Sequence, residues 1–384
     1  MLHKRDIQAP VKELLKNFKA LAIVGPRQSG KTTLSKILAP RKPYVSFENP
    51  DTRYLFESDP RGFLSAYTNG AVFDEAQYVP KLFNYLQQML DESPVNGRFI
   101  LTGSNNFLLV EKISQSLAGR IVYTDLLPLS IKEILRIKDL DNSADNLIFH
   151  GGYPGIIYEG RKRLPWFQSY VRNYIERDVR LLKNITNYSL FQKFISLCAG
   201  RIGQQLNLTN LGNECGVDHK TIQSWIKVLE ASFIIHLLPP YYKNFNKRIV
   251  KSPKLYFCDT GLACYLLGIQ QKEQLRLHPF RGALFENMIV AEMLKTRYNK
   301  GLRSNLYYFR DNSGNEIDVL IDEGKKIIPV EIKSSETISP AFFRGLDFWE
   351  KLTGNKTGYI VYGGTENNTI RNKKIIGWKN MSRI

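Results

Sequence analysis

The feature that most constrains this chain is the run Gly25-Pro26-Arg27-Gln28-Ser29-Gly30-Lys31-Thr32, set between an apolar stretch at 20–24 and a stretch with helical apolar spacing at 32–38. The form G-x-x-x-x-G-K-[ST] is a phosphate-binding loop, which works where a strand ends and a helix begins. Its glycines let backbone N–H groups turn inward around phosphate oxygens, and the helix N-terminus adds positive potential. In such a site Lys31 reaches the β and γ phosphates of ATP and Thr32 binds Mg2+, with the cofactor-binding stretch running through Thr33. A chance glycine-rich turn is the competing reading, and the flanking strand and helix argue against it.

Further apolar runs at 44–47, 71–73 and 98–101 alternate with helix-like stretches, the rhythm of an α/β domain around a parallel sheet. Ahead of them Ile7, Val11, Leu14, Leu15 and Phe18 fall at steps of three and four, one face of a packing helix. The second half of a nucleotide site is an acidic residue after another apolar strand, and Ala71-Val72-Phe73-Asp74-Glu75 supplies it. Asp74 is expected to hold Mg2+ through water, and Glu75 to orient the water that attacks the γ-phosphate. Taken alone, the Asp-Glu pair also reads as a solvated loop. Thr102 and Ser104, after the strand at 98–101, are candidates for sensing the γ-phosphate, against an ordinary strand-end turn. Arg120, in Leu-Ala-Gly-Arg, is a candidate for transition-state charge in cis or from a neighbouring subunit, against a plain surface arginine.

These residues resemble a family of bacterial and archaeal AAA-type ATPases that carry a C-terminal domain of unknown function. The phosphate loop, Phe-Asp-Glu-Ala-Gln, Leu-Thr-Gly-Ser-Asn-Asn and Leu-Ala-Gly-Arg look like its blocks. So do Gly-Gly-Tyr-Pro (151–154), Tyr-Ile-Glu-Arg-Asp-Val (174–179) and the stretch from Lys-Ser-Pro-Lys to Asp-Thr-Gly-Leu (251–262). The resemblance spans nearly the whole chain and implies an ATPase with an attached DNA-binding-like and nuclease-like C-terminal part.

At 384 residues the chain is long enough for two or three domains. A polar, turn-rich stretch at 139–146 puts the first boundary near residue 150. The expected parts are a P-loop NTPase parallel sheet at 1–150, a helical and winged-helix-like segment at 151–280, and a smaller α/β nuclease-like domain at 281–384. Charge divides along the same line. Residues 1–150 hold 19 basic and 16 acidic side chains, a net of +3, whereas 151–384 hold 35 and 20, a net of +15, so a polyanion partner is expected at the C-terminal part. Four scattered cysteines support neither a disulfide framework nor a zinc ribbon. The absence of a long apolar run or signal pattern favours a cytosolic protein without a membrane partner. Self-association stays open.

In the middle, residues 208–225 read as a short helix, a glycine-containing turn and a second helix, with Leu211, Val217, Ile222, Trp225 and Leu229 as a shared core. Asp218 is the expected N-cap, which leaves His219, Lys220, Gln223 and Ser224 where base edges or phosphates of DNA are met. The β-rich residues that follow suit a wing carrying Lys243, Lys247, Arg248, Lys251 and Lys254. Winged-helix units in ATPases also serve as lids or protein-docking modules, and that alternative stays open.

Near the end, Asp318 lies on one strand and Glu331-Ile332-Lys333 closes the next, with Glu331 and Lys333 on one face by alternation. This looks like the PD-(D/E)XK nuclease pattern, with Glu286 on the preceding helix in the place of the helical carboxylate and Ile317 where a proline is usual. The resemblance implies a second divalent metal on Glu286, Asp318 and Glu331, with Lys333 beside the hydrolytic water. The alternative is an inert nuclease-like fold used for binding.

Overall fold

The computed structural model describes residues 4–104, 117, 119–175, 188–242 and 251–384. The chain divides into two compact units: one holds Met1–Leu129 with Ala231–Phe233 and Arg297–Leu302, the other Ser130–Glu230, Ile234–Thr296 and Arg303–Ile384.

In the first unit, helix α1 (Gln8–Asn17) precedes strand β1 (Ala20–Val24), and α2 (Lys31–Leu38) follows it. Strands β2 (Tyr44–Ser46) and β3 (Val72–Asp74), helix α3 (Leu82–Asp91), and strands β4 (Phe99–Gly103) and β5 (Ile121–Asp125) complete the frame. All pairings are parallel, in the order β2-β3-β4-β1-β5. Every residue of β1, β3 and β4 is buried, which is why these strands read as unbroken apolar runs instead of alternating ones. Ile7 and Val11 join Leu21, Ile23, Leu34, Val72, Ile100 and Leu126 in one core cluster. The predicted helical face ahead of β1 therefore packs as expected at Ile7 and Val11, while Leu14, Leu15 and Phe18 are half-buried. The α/β parallel-sheet reading holds.

In the second unit, helices α4 (Tyr188–Ala199), α5 (Leu208–Cys215) and α6 (His219–Ala231) precede an antiparallel pair, β6 (Ile235–Leu238) and β7 (Lys254–Phe257). After α7 (Thr260–Leu266) and the long α8 (Arg281–Asn299) comes a six-stranded mixed sheet. Its strands are β8 (Leu306–Arg310), β9 (Glu316–Asp322), β10 (Ile327–Lys333), β11 (Gly358–Tyr362), β12 (Asn368–Ile370) and β13 (Lys373–Gly377), with α9 (Arg344–Thr353) between β10 and β11. The order is β12-β13-β11-β10-β9-β8, with β8, β9 and β10 an antiparallel meander and β11 parallel to β10. All four cysteines are buried, and none forms a disulfide. Among the described residues no helix is long and apolar enough to cross a membrane.

Candidate functional site

The phosphate loop leaves the carboxyl end of β1, where β1 lies between β4 and β5, and feeds directly into α2. Its shape is set by backbone geometry. A Cβ at Gly25 would stand 2.2 Å from the Leu126 carbonyl oxygen, so only glycine fits there. Gln28 and Gly30 adopt φ of +59° and +96°, turning the chain sharply into the first turn of α2. The Lys31 ammonium donates to the carbonyls of Gly25 (3.0 Å) and Pro26 (2.8 Å), held inside the curl of the loop. Arg27 donates to the Tyr78 hydroxyl at 3.2 Å, and Ser29 is fully buried. Thr33 is exposed on the outer side of α2.

Strand β3 delivers the acidic pair. Asp74 accepts from three hydroxyls: Thr32 Oγ1 at 3.3 and 3.2 Å from its two oxygens, Thr102 on Oδ1, and Tyr44 on Oδ2. This donor set fits Mg2+, because Thr32 and Asp74 stand together at the N-terminus of α2, a hydroxyl and a carboxylate of the kind that hold the ion beside bound phosphates. Glu75, at φ +54°, turns its carboxylate to Ser104 Oγ (3.0 Å) and to the Gln77 amide. Burial favours the neutral form of Glu75, yet the charges of Lys31 and Arg27 and the bonds from Gln77 and Ser104 outweigh it and hold the carboxyl below its usual range. Thr102 also accepts from the Glu75 backbone N–H at 3.2 Å. Thr102 thus braces the acidic pair and Ser104 contacts Glu75 itself.

Arg120 is not brought to this cluster. It precedes β5, whose first residue, Ile121, pairs with Ala20 at the opposite end of β1 from the loop, and its guanidinium pairs with Asp91 at the end of α3. An arginine acting in cis is corrected on that ground.

The helix pair forms as the sequence indicates. The Asp218 carboxylate caps α6 by accepting from the N–H groups of Lys220 (2.8 Å) and Thr221 (3.0 Å). A Cβ at Gly212 would meet the Val217 carbonyl at 2.7 Å, so the turn closes against a glycine. Leu211, Ile222, Trp225 and Leu229 are buried, with Val217 half-buried, and Trp225 packs on Phe191 and Phe194. His219, Lys220 and Gln223 are exposed, but the Ser224 hydroxyl is buried, which corrects its assignment to a nucleic-acid surface. Lys243, Lys247 and Arg248 lie outside the described residues, as do 176–179 of the Tyr-Ile-Glu-Arg-Asp-Val block.

Glu286, Asp318, Glu331 and Lys333 come together in the second unit, and two lysines shape the cluster. Lys333 donates to Glu331 Oε2 (2.6 Å) and Asp318 Oδ2 (3.2 Å), and the latter oxygen also accepts from the Ile332 N–H at 2.8 Å. Lys254, only 3% exposed, pairs with Glu286 (3.4 Å) and with Glu316. Tyr256 donates to Glu286. Burial and the neighbouring Asp318 charge push the Glu331 carboxyl well up, whereas Lys333 and Lys254 outweigh burial to hold Asp318 low. Among the described residues no three His, Cys, Asp or Glu side chains are placed to ligate a metal. The three carboxylates expected to hold a second metal are each engaged by a lysine here: Lys333 bridges Asp318 and Glu331, and Lys254 joins Glu286 to Glu316.

Family models match in three blocks: an AAA domain at 17–135, a domain of unknown function (DUF8612) at 141–273 and another (DUF4143) at 281–381. The uncharacterized protein Rv2008c of Mycobacterium tuberculosis is 30% identical over 345 residues, covering 88% of this chain and 76% of the relative. The chain belongs to the family of that protein. Another relative, the uncharacterized MJ1544 of Methanocaldococcus jannaschii, is 23% identical over 365 residues, covering 87% of this chain and 78% of its own. Among solved structures, AMPPCP-bound DnaA from Aquifex aeolicus aligns at 14% identity over 59% of this chain and 86% of its own, with a TM-score of 0.29. Binding of ATP and Mg2+ is the general property of an AAA domain.

Two of the stretches read as resembling family blocks, at 151–154 and 251–262, form one structural joint. Asp259 accepts from the Gly152 N–H (2.7 Å) and caps α7 through Leu262 (3.1 Å), while a Cβ at Gly261 would strike the His150 carbonyl at 2.5 Å. Sequence reasoning also missed two residues near the clusters and misplaced a third. Arg5 donates to the carbonyls of Ser29 (2.9 Å) and Leu127 (2.8 Å), bracing the phosphate loop from the N-terminal segment. Tyr44 is another, and Lys254, expected as a charge on the wing, is instead buried in ion pairs with Glu286 and Glu316. A readable signal existed only for Lys254, which stands two residues before Tyr256 on one face of β7.

Proposed function

We propose that the chain is a Mg2+-dependent ATPase whose nucleotide state controls a basic C-terminal region that engages nucleic acid. The observation that carries the first half is Glu75, bonded to Ser104 and Gln77, one residue after the Asp74 that touches Thr32. In this reading Mg2+ offsets the charge of the phosphates. Lys31 and the loop N–H groups bind the β and γ phosphates, and Glu75 accepts the proton of the attacking water. The test is phosphate release from ATP by wild type, Lys31→Ala and Glu75→Gln. Both variants are expected to lose hydrolysis, and activity equal to wild type in both removes the assignment.

The second half rests on the net +15 after residue 150 and on the exposed His219, Lys220 and Gln223 at the start of α6. Duplex DNA binding that weakens steeply with salt is the expected result, and no binding at low salt removes it. A second reading, a nucleotide-switched docking scaffold, is favoured by one observation: the carboxylates of the C-terminal cluster are bonded to Lys254 and Lys333.

A further inference from the structure

Tyr44 opens β2 opposite Val72 of β3, and its side chain runs along the neighbouring strand to Asp74, two residues further on. Its hydroxyl donates to Asp74 Oδ2, the oxygen that lies 3.2 Å from Thr32 Oγ1. The ring is held independently of that bond. It packs against the core cluster containing Leu34, Val72 and Ile100, and the Lys36 ammonium sits 4.1 Å from its centroid. A carboxylate offers about four acceptor positions, and here Thr102 engages Oδ1, Tyr44 engages Oδ2, and Thr32 lies within reach of both. Two donors on fixed strands thus leave Asp74 a single orientation, facing the Thr32 hydroxyl at the start of α2.

We propose that Tyr44 is a positioning residue for the divalent cation, holding Asp74 Oδ2 so that the carboxylate faces the Thr32 hydroxyl where Mg2+ arrives with ATP. The inference rests on the ATP-site reading above. A tyrosine that merely filled the edge of the sheet would need its ring and not its hydroxyl, and the hydroxyl is the part that touches the acidic residue. Orientation by a hydrogen bond from a half-exposed tyrosine contributes to cation affinity without touching the nucleotide.

Tyr44→Phe keeps the ring and removes the donor. Binding of a fluorescent non-hydrolysable ATP analogue is measured in EDTA and across a Mg2+ titration, with melting temperature followed alongside. Affinity in EDTA is expected to hold, while the Mg2+ concentration giving half of the metal-dependent gain rises about three- to tenfold, the scale of one net hydrogen bond. A Mg2+ curve that superimposes on wild type overturns the inference, and a lowered melting temperature with that same curve assigns Tyr44 to the fold alone. Lys31→Ala serves as the reference. If it binds the analogue as wild type does, the ATP-site reading fails. If it loses binding while Tyr44→Phe follows the wild-type curve, only the role of Tyr44 fails.

Discussion

The Ser104 hydroxyl donates a 3.0 Å hydrogen bond to Glu75 Oε2, the same oxygen that the Gln77 amide engages. Strand β4 thereby reaches across to set the direction of the residue proposed to take a proton from water. Removing that donor with Ser104→Ala is expected to lower the rate of ATP hydrolysis about tenfold or more, with nucleotide affinity little changed, because the bond steers Glu75 and not the phosphates. Single-turnover hydrolysis and analogue binding measured on the same preparation check this. A loss confined to binding would refute the steering role.

A second expectation concerns pH and lies away from the nucleotide. Glu292 of α8 is buried and accepts from the N–H groups of Ile131 (2.7 Å) and Lys132 (3.5 Å), capping the short helix Ile131–Ile134. Burial pushes its carboxyl up to about 7, against the opposing charge of Lys295 and with Glu133 adding to the rise. A carboxyl raised in the folded state contributes fully below its unfolded value near 4.5 and loses that contribution as pH climbs to about 7. Stability should therefore fall by about 2 to 3 kcal/mol across this window relative to Glu292→Gln, which cannot ionise. Urea melts at pH 5 and 7.5 decide it, and parallel pH profiles for the two proteins would be the contrary result.

What the sequence made legible was local. The phosphate loop, β1 and β4 stand where the pattern places them, because a motif and an apolar run carry their own boundaries. Asp74 and Glu75 followed from the end of one strand. Arg120 went astray because β5 was not read as a strand, and only its pairing with β1 tells which end of the sheet the arginine occupies. Ser224 failed on helical phase: it lies one turn before the buried Val228 and shares that face. Tyr44 and Lys254 act through partners 30 and 32 residues away, a relation that spacing along the chain does not encode.

Lys220 is exposed in the first turn of α6, where a helix entering a groove meets phosphates. Lys220→Ala should weaken duplex binding about equally for unrelated sequences and reduce the slope of log affinity against log salt by about one. Gln223→Ala should leave that slope intact. Fluorescence anisotropy at several salt concentrations makes the comparison, and unchanged slopes in both variants would count against α6 as the contact.

The cluster around Lys254 supplies the last test. Removing its ammonium leaves Glu286, behind the Tyr256 hydroxyl, and Glu316 facing one another without their shared cation. Breaking a buried ion pair by deleting one partner costs about 3 kcal/mol or more, mostly because the other charge stays desolvated. Lys254→Met should thus destabilise the second unit by about that amount. Glu286→Gln added to it should restore part of the loss, since the two side chains interact directly and their effects do not add. Chemical denaturation of wild type, both single variants and the double variant completes the cycle. Strict additivity would mean that Lys254 is held for packing alone, and the lysine-neutralised reading of the carboxylates would then lose its energetic basis.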